Sequence, residues 1–172
     1  MHFQVARQAR EICKDKGVRP DMFGTDATGT GAGTADILQR EWSPKVHRVV
    51  FSNRATERPV SSTNPRACRE EYWNLRAEMW YSFRRFLEAD QLRGVSPEAA
   101  KEGCSCHYEM KGALIAMETK EDMRARCGFS PDVFDACCIL LEVVRRHGVV
   151  IEEMADELSD LDINHTVERL GL

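Results

Sequence analysis

Residues 22–36 read MFGTDATGTGAGTAD, a sequence typical of a strand that runs into a glycine-rich turn. Short apolar residues lead to one carboxylate, Asp26, and three glycines then precede a helical pattern. In open α/β folds, a side chain at the carboxyl end of such a strand lies at the edge where ligands bind. The stretch therefore predicts an α/β fold with Asp26 at a ligand-binding edge.

The glycines of this turn do not form a known nucleotide-binding motif. Their spacing is G-x-G-x-G rather than G-x-G-x-x-G, and the lysine of a phosphate-binding loop is absent. No acidic residue follows a second strand at the distance that a dinucleotide-binding domain requires. We interpret the glycines as positions that keep side chains away from Asp26, so that a backbone or a phosphate can approach. Gly29 and Gly31 are the candidate substrate-binding positions.

The composition is typical of one soluble domain. The 172 residues include no apolar run near the ~20 residues that cross a bilayer, and the first residues lack a secretory profile. We therefore expect no membrane partner and a cytoplasmic location. Seven cysteines without regular spacing indicate reduced thiols. The net charge of −4 means that local basic patches would have to bind any DNA.

Helical and strand patterns alternate in the first third of the chain. Apolar residues at helical spacing predict helices over residues 3–16 and 34–42, and a β-branched run predicts a strand over 46–51. Strand–helix–strand order predicts that this strand pairs in parallel with the strand that ends at Asp26. The polar segment 52–65 is long for a compact domain and is a candidate substrate-facing loop.

The longest helical pattern covers residues 66–90 and has a broad apolar stripe. A shorter helix is expected to start at Ser96, a third strand to cover 114–117, and a last helix to have Ser130 as N-cap and Pro131 as its first residue. Five arginines of the long segment are an alternative basic face toward DNA. These are Arg66, Arg69, Arg76, Arg84 and Arg85.

The C-terminal residues are acidic, with Met154, Leu158 and Leu161 at helical spacing. We therefore divide the chain into a domain over residues 1–148 and an acidic helical tail over 149–172.

Asp132 and Asp135 are three residues apart at the start of the last predicted helix, so they share a face. Carboxylates brought together from separate elements persist around a cation or a shared proton. Mg²⁺ and Mn²⁺ prefer oxygen ligands, and a two-metal site supports phosphodiester cleavage. The simpler alternative is that Asp132 complements the helix dipole and that Asp36 or Asp26 caps a turn. Spacing alone favours this alternative.

The segment Cys104-Ser105-Cys106-His107 is a poor match to a zinc site. Zinc knuckles usually place two residues between their cysteines and need a second pair, for which Cys127 and Cys137 are unsuited. A cysteine nucleophile has no marked histidine or asparagine partner either. The spacing favours chance clustering.

Five segments carry a further pattern. They are TDATGTGAG (25–33), VVFS (49–52), AEMWY (77–81), ETKEDMRAR (118–126) and SPDVFDA (130–136). In this order, over roughly residues 5–145, they resemble the nuclease domain of tailed-phage terminase large subunits.

This resemblance implies a ribonuclease H-like, three-layer α/β fold, also found in RuvC-like resolvases. It implies an endonuclease that cuts double-stranded DNA during packaging with two Mg²⁺ or Mn²⁺ ions. By position, Asp26, Asp132 and Asp135 would be the catalytic metal ligands, with Asp135 either a ligand or a residue that orients one. Lys120 would lie near the scissile phosphate.

Members of that family carry antiparallel strands ahead of the helix at residues 3–16, including another catalytic aspartate, and an ATPase domain further upstream. The resemblance therefore implies a partial fold without those first strands. We expect one of three situations: a split terminase completed by a separate ATPase polypeptide, a prophage remnant, or a homo-oligomer that pairs through an exposed sheet edge. The tail over 149–172 is an alternative cover for that edge. The corresponding functions are an endonuclease or a non-catalytic module that docks on DNA or packaging proteins.

Overall fold

The computed structural model describes residues 1–152, which form six α-helices and four short strands. The helices are α1 (His2–Asp15), α2 (Gly31–Glu41), α3 (Leu75–Glu88), α4 (Pro97–Ser105), α5 (Lys120–Cys127) and α6 (Asp132–Arg146). The strands are β1 (Gly24–Asp26), β2 (His47–Val49), β3 (Tyr108–Lys111) and β4 (Leu114–Met117). Within the described range, no helix combines the length and the apolar character that crossing a bilayer would require.

Strands β1 and β2 are parallel, as predicted, with Asp26 opposite Val49. Helix α6 packs against both strands. A Cβ atom at Gly24 would lie 2.7 Å from Cγ2 of Val143 and 2.8 Å from Cγ2 of Ile139. Glycine at this position therefore lets α6 approach the strand closely.

Helix α6 runs antiparallel to β1. His147, which follows α6, has its Nε2 atom 2.7 Å from the carbonyl oxygen of Asp21, ahead of β1. Gly24, within β1, faces Val143 and Ile139 in the middle of the helix. The carboxyl end of β1 therefore lies toward the first turns of α6, which is the end of the molecule where the predicted site residues occur.

The main hydrophobic core lies between α3, α6 and β2. The ring of Phe134 has its centroid 4.4 Å from that of Trp80 and 4.7 Å from that of Phe83. Val49 of β2 is fully buried in the same cluster. Ile151, beyond α6, also belongs to it and is 2% exposed. Ile151, beyond the end of α6, is therefore part of the packed core.

The start of the predicted tail is tied to the end of α3. Nε2 of Gln91 donates a hydrogen bond of 3.1 Å to the carbonyl oxygen of Val150, and the N–H of Glu152 donates one of 2.9 Å to Oε1 of Gln91. Residues 153–172, with Met154, Leu158 and Leu161, lie outside the described residues. The division at residue 148 stays a prediction.

A buried ionic network fixes the polar segment 52–65. Glu78 is fully buried, and its carboxylate accepts hydrogen bonds from the backbone N–H of Thr56 at 2.6 Å and from Arg145 at 2.9 Å. Arg58 donates to Glu142 at 2.6 Å. Because buried charges need such partners, the network holds the segment against α3 and α6. A substrate-facing role of this loop stays a prediction.

The predicted helix over residues 66–90 is wrong at its N-terminal end, because α3 begins only after Asn74. The Asn74 side chain accepts a backbone hydrogen bond of 3.0 Å from the first turn and thereby caps the helix. Before it, the N–H of Trp73 donates to the carbonyl oxygen of Ile115 at 2.8 Å. Tyr72 continues the helical apolar spacing, but it is buried in a segment that pairs with β4.

Two local features of the second half also differ from the sequence prediction. Strand β3 pairs antiparallel with β4, and because all four of its residues are exposed it has no alternating pattern to reveal it. The last helix has Pro131 rather than Ser130 at its N-cap. The Ser130 hydroxyl instead accepts a hydrogen bond of 2.9 Å from Arg124.

Candidate active site

Asp26 ends β1 at the turn that leads into α2. Its Oδ1 atom accepts the backbone N–H of Thr28 at 2.7 Å, so it does cap the turn, as the simpler interpretation expects. A Cβ atom at Gly31 would lie 2.5 Å from the carbonyl oxygen of Asp26, which shows how closely α2 packs on the strand end. Gly29 has a φ of 53° and no atom within 4 Å of a Cβ position. The space beside Gly29, in the turn that follows Asp26, is therefore open.

Lys120 joins the two carboxylates at the start of α6. Its Nζ atom is 2.5 Å from Oδ2 of Asp135 and 3.8 Å from Oδ1 of Asp132. The same ammonium lies 5.6 Å from the ring centroid of Phe51, which follows β2. The N–H of Phe51 donates at 3.2 Å to the hydroxyl of Thr28, in the turn after β1. These contacts connect the end of β1 with the start of α6.

Asp132 and Asp135 occupy opposite environments. The side chain of Asp132 is 76% exposed, whereas that of Asp135 is 4% exposed. Neither oxygen of Asp135 has a well-aligned hydrogen-bond donor, and its contact with Lys120 is an ion pair. Burial raises the pKa of Asp135 above its ordinary value, although Lys120 and Arg76 oppose the shift. A buried carboxylate with a shifted pKa beside specific cations is a candidate functional group.

Arg76 is a buried cation beside Asp135. The interpretation that places it on a basic face toward DNA is wrong for this residue, which is 8% exposed. Its Nη1 atom donates to the carbonyl oxygen of Glu118, and its guanidinium carbon lies 5.3 Å from the ring centroid of Trp80. Its Nε atom is 4.0 Å from Oδ1 of Asp135. An arginine inside the apolar stripe of α3 is the sequence signal for this role.

The candidate ligands come together only in part. Asp132 and Asp135 meet at Lys120, and Asp26 lies toward the same end of the molecule. Within residues 1–152, no three Asp, Glu, His or Cys side chains form a group that could hold a metal ion. Carboxylate oxygens suit Mg²⁺ or Mn²⁺, and both oxygens of Asp135 are buried without a well-aligned hydrogen bond, with the Lys120 ammonium as the cation beside them. The three carboxylates are therefore the type of ligand that a hard divalent cation prefers. In this structure the Lys120 ammonium lies between two of them, Asp132 and Asp135.

The cysteines contribute little to this site. All seven are free thiols, and Cys104 is exposed. Burial raises the pKa of Cys106 to about 12, so at neutral pH it is a thiol rather than the thiolate that metals and electrophiles require. The interpretation of residues 104–107 as a chance cluster stays a prediction.

Comparisons with known proteins give a structural answer. No protein-family profile and no curated protein sequence matches the chain. The structure is similar to the nuclease domain of the large terminase subunit gp2 of bacterial virus Sf6, with a TM-score of 0.60, 17% identity, and coverage of 78% of this chain and 70% of that one. A mutant of the same domain, solved with manganese, gives a TM-score of 0.56, 16% identity and the same coverage.

The chain therefore has a mixed helix and strand fold of the terminase nuclease kind. The resemblance predicted from the five sequence segments is confirmed at the level of the fold. At this identity the similarity assigns no activity and no residue role.

Proposed function

We propose that the chain is a metal-dependent endonuclease for double-stranded DNA, related to the nuclease part of phage packaging terminases. The observation that carries the proposal is that Lys120, Asp132 and Asp135 converge at one end of the molecule. Asp26, the last residue of β1, lies toward the same end. The fold similarity to a terminase nuclease domain supports it.

In this proposal Asp26, Asp132 and Asp135 hold Mg²⁺ or Mn²⁺ through carboxylate oxygens. When bound, such ions polarise the phosphodiester and activate water. Gly29 and Gly31 leave room for the DNA backbone beside Asp26. The ammonium of Lys120 donates charge-assisted hydrogen bonds to the scissile phosphate.

Lys120 has a second role in the metal-free chain, because its ammonium forms ion pairs with Asp132 and Asp135. Its side chain is 32% exposed, and in this proposal the flexible lysine turns its ammonium from the buried carboxylate toward a phosphate when DNA binds. In this proposal the Lys120 ammonium pairs with the carboxylates before DNA binds and with the scissile phosphate afterwards.

The test combines Mn²⁺ calorimetry with plasmid nicking on the wild-type chain and on Asp132→Ala. We expect the substitution to abolish nicking and to weaken Mn²⁺ binding at least tenfold, as loss of one charged ligand predicts. Asp15→Ala is the matched control, since Asp15 is an exposed aspartate of α1. A folded wild-type protein that binds no Mn²⁺ would contradict the proposal.

A second candidate function is a non-catalytic module that docks on DNA or packaging proteins. The ion pairs of Lys120 favour it, because they satisfy Asp132 and Asp135 without a metal. This function predicts salt-sensitive DNA binding that survives Asp132→Ala, with no nicking by either protein.

The wider packaging context also belongs to the proposal. A separate ATPase polypeptide would supply the motor, other packaging proteins or a second copy of the chain would be partners, and the host cytoplasm would be the location. The ribonuclease H-like three-layer arrangement is proposed on the same basis.

A further inference from the structure

A cleft of about 490 Å³ lies at the end of the molecule where α6 ends and β2 begins. Three of its lining side chains are cations, namely Lys45 and Arg48 from the start of β2 and Arg146 from the end of α6. Within the described chain, Asp21 is the one carboxylate of the lining, and it accepts two hydrogen bonds of 3.1 Å from Arg19. This basic cleft therefore carries a local positive charge.

Two histidines hold the walls of the basic cleft in place. Nε2 of His47 and Nε2 of His147 lie 3.0 Å and 2.7 Å from the carbonyl oxygen of Asp21. Because a carbonyl oxygen only accepts hydrogen bonds, both imidazoles donate to it from Nε2. The two rings meet edge to face, with their centroids 5.7 Å apart. The end of α6 and the start of β2 are thereby joined to one backbone atom, which fixes the cleft walls relative to each other.

The cations of the basic cleft are only partly neutralised. Lys45 is exposed and forms no ion pair with any described residue. Nε of Arg146 lies 2.9 Å from the carboxylate of Glu142, but that carboxylate also pairs with a second arginine at 2.6 Å. Arg48 pairs with Asp36, whose side chain is 67% exposed, and such surface pairs contribute at most about 1 kcal/mol. An anionic ligand can therefore replace these partners at low cost.

The arginines of segment 66–90 are a weaker candidate for binding a polyanion. Arg66, Arg69 and Arg84 each lie near a glutamate of their own, at 3.7, 2.7 and 2.7 Å. Arg76 is buried. Since the net charge of the chain is −4, a DNA-binding surface needs cations that are not already paired in this way. The basic cleft meets this requirement better than segment 66–90 does.

The exposed face of α6 connects the basic cleft with the candidate active site. It runs from Asp132 through Ala136 and Leu140 to His147, and the two residues in between are uncharged. At about 1.5 Å per residue, the helix separates these ends by roughly 20 Å. This distance corresponds to about six base pairs of DNA. A long polyanion therefore fits the arrangement better than a single small anion does.

We propose that the basic cleft binds the sugar–phosphate backbone of double-stranded DNA, with Lys45, Arg48 and Arg146 as the phosphate contacts. A duplex that follows the exposed face of α6 reaches the carboxylates of the candidate active site about six base pairs from the cleft. The inference rests on DNA being the ligand, as in both proposed functions, but it requires neither metal binding nor cleavage.

Fluorescence anisotropy with a labelled duplex of about 20 base pairs, in EDTA and at about 50 mM NaCl, measures this binding without metal or cleavage. Lys45→Ala removes the unpaired cation. We expect about tenfold weaker binding and a salt dependence whose slope is smaller by about 1, since each phosphate contact releases roughly one counterion. Lys111→Ala is the matched control, because Lys111 lies on β3 and pairs with Glu109. It should stay within about twofold of the wild type.

Asp36→Asn tests the basic cleft without removing a cation. It frees Arg48 from its surface carboxylate and should tighten DNA binding by up to about fivefold. A misfolded variant would not give such a gain, and circular dichroism confirms that each variant is folded.

A wild-type protein that does not bind the duplex overturns the proposal, as do Lys45→Ala and Asp36→Asn variants that both keep the wild-type affinity and salt slope. Inorganic phosphate is the probe for a small-anion site. Calorimetric binding of phosphate tighter than about 1 mM that Lys45→Ala abolishes also overturns the assignment to DNA. Weaker duplex binding by Lys45→Ala, together with no nicking by the wild type in Mn²⁺, would support the basic cleft and contradict the endonuclease proposal.

Discussion

The guanidinium of Arg76 contacts a backbone carbonyl, an aromatic ring and a buried carboxylate. Arg76→Met removes the donor to the carbonyl oxygen of Glu118 and, among residues 1–152, leaves Lys120 as the cation paired with Asp135. Since removing one member of a buried charge cluster leaves the other uncompensated, we expect a loss of about 3 kcal/mol in the free energy of unfolding, measured by urea denaturation.

Arg84→Met is the control for this prediction, because Arg84 lies on the same helix but pairs with Glu88 at the surface. Its expected cost is below about 1 kcal/mol. Equal losses in the two variants would show that Arg76 acts as ordinary helix surface.

Cys68 makes the alkaline stability of the protein depend on pH. It is fully buried, and burial, together with the nearby Glu78 carboxylate, raises its thiol pKa from 9.0 to about 11. Between these values the folded chain keeps a proton that the unfolded chain loses, so this contribution is complete below pH 9 and disappears as the pH rises toward 11. Cys68→Ser should flatten the stability curve across that window, by an amount on the order of 2 kcal/mol.

Denaturation midpoints from pH 8 to about 11 measure this effect, and Cys104→Ser, at an exposed thiol, is the control for replacing a cysteine by serine. The slope is the informative quantity, since any packing cost of the serine shifts the whole curve.

The sequence predicted the identity of the candidate site residues better than their contacts. Asp132 and Asp135 share a face because of their spacing, and this spacing is visible in any helix. The ion pair of Asp135 with Lys120 joins positions fifteen apart through a turn, and no local pattern encodes such a pair. The burial of Arg76 likewise depends on tertiary packing against Trp80. The metal and substrate roles of these residues stay predictions.

At the scale of elements, the first turn of α2 should be sensitive to a single methyl group. In Gly31→Ala the new Cβ would lie 2.5 Å from the carbonyl oxygen of Asp26, a backbone atom that cannot move aside without displacing β1. We expect a loss of about 1–3 kcal/mol in thermal or urea unfolding, the usual cost of overpacking.

Gly33→Ala tests the same helix two residues later. Its Cβ would meet only the His2 side chain at 3.5 Å, so the normal helix preference for alanine should leave stability unchanged or raise it by about 0.5 kcal/mol. If the Gly31→Ala protein is as stable as the Gly33→Ala protein, the first turn of α2 does not pack closely against the end of β1.

Elements with a local cause were predicted, and those with a tertiary cause were not. Strands β1 and β2 follow from short apolar runs, and α4 begins where Ser96 accepts the backbone N–H of Ala99 at 3.2 Å. The extended segment before Asn74 exists because it pairs with β4, which comes some forty residues later. Strand β3 is specified by its partner strand alone, since its own side chains are exposed.

At the scale of the whole molecule, metal binding should appear as added stability. A ligand that binds only the folded state at about 100 times its Kd adds about 2.7 kcal/mol, so Mn²⁺ at that level should raise the melting temperature by several degrees. Asp132→Ala, with binding at least tenfold weaker, should show at most about half of that rise, whereas Asp15→Ala should match the wild type. Differential scanning calorimetry with and without Mn²⁺ makes the comparison, and an equal rise in Asp132→Ala would place the metal elsewhere.

The burial of Ile151 has a consequence for how the gene tolerates nonsense mutations. A stop codon placed just after α6 would delete Ile151 together with the backbone of Val150 and Glu152 that the Gln91 side chain binds. The space between α3 and α6 would then be open to water. The nascent polypeptide would then expose apolar surface to cellular proteases. Translation must therefore continue past α6, at least through Ile151, for the folded protein to accumulate.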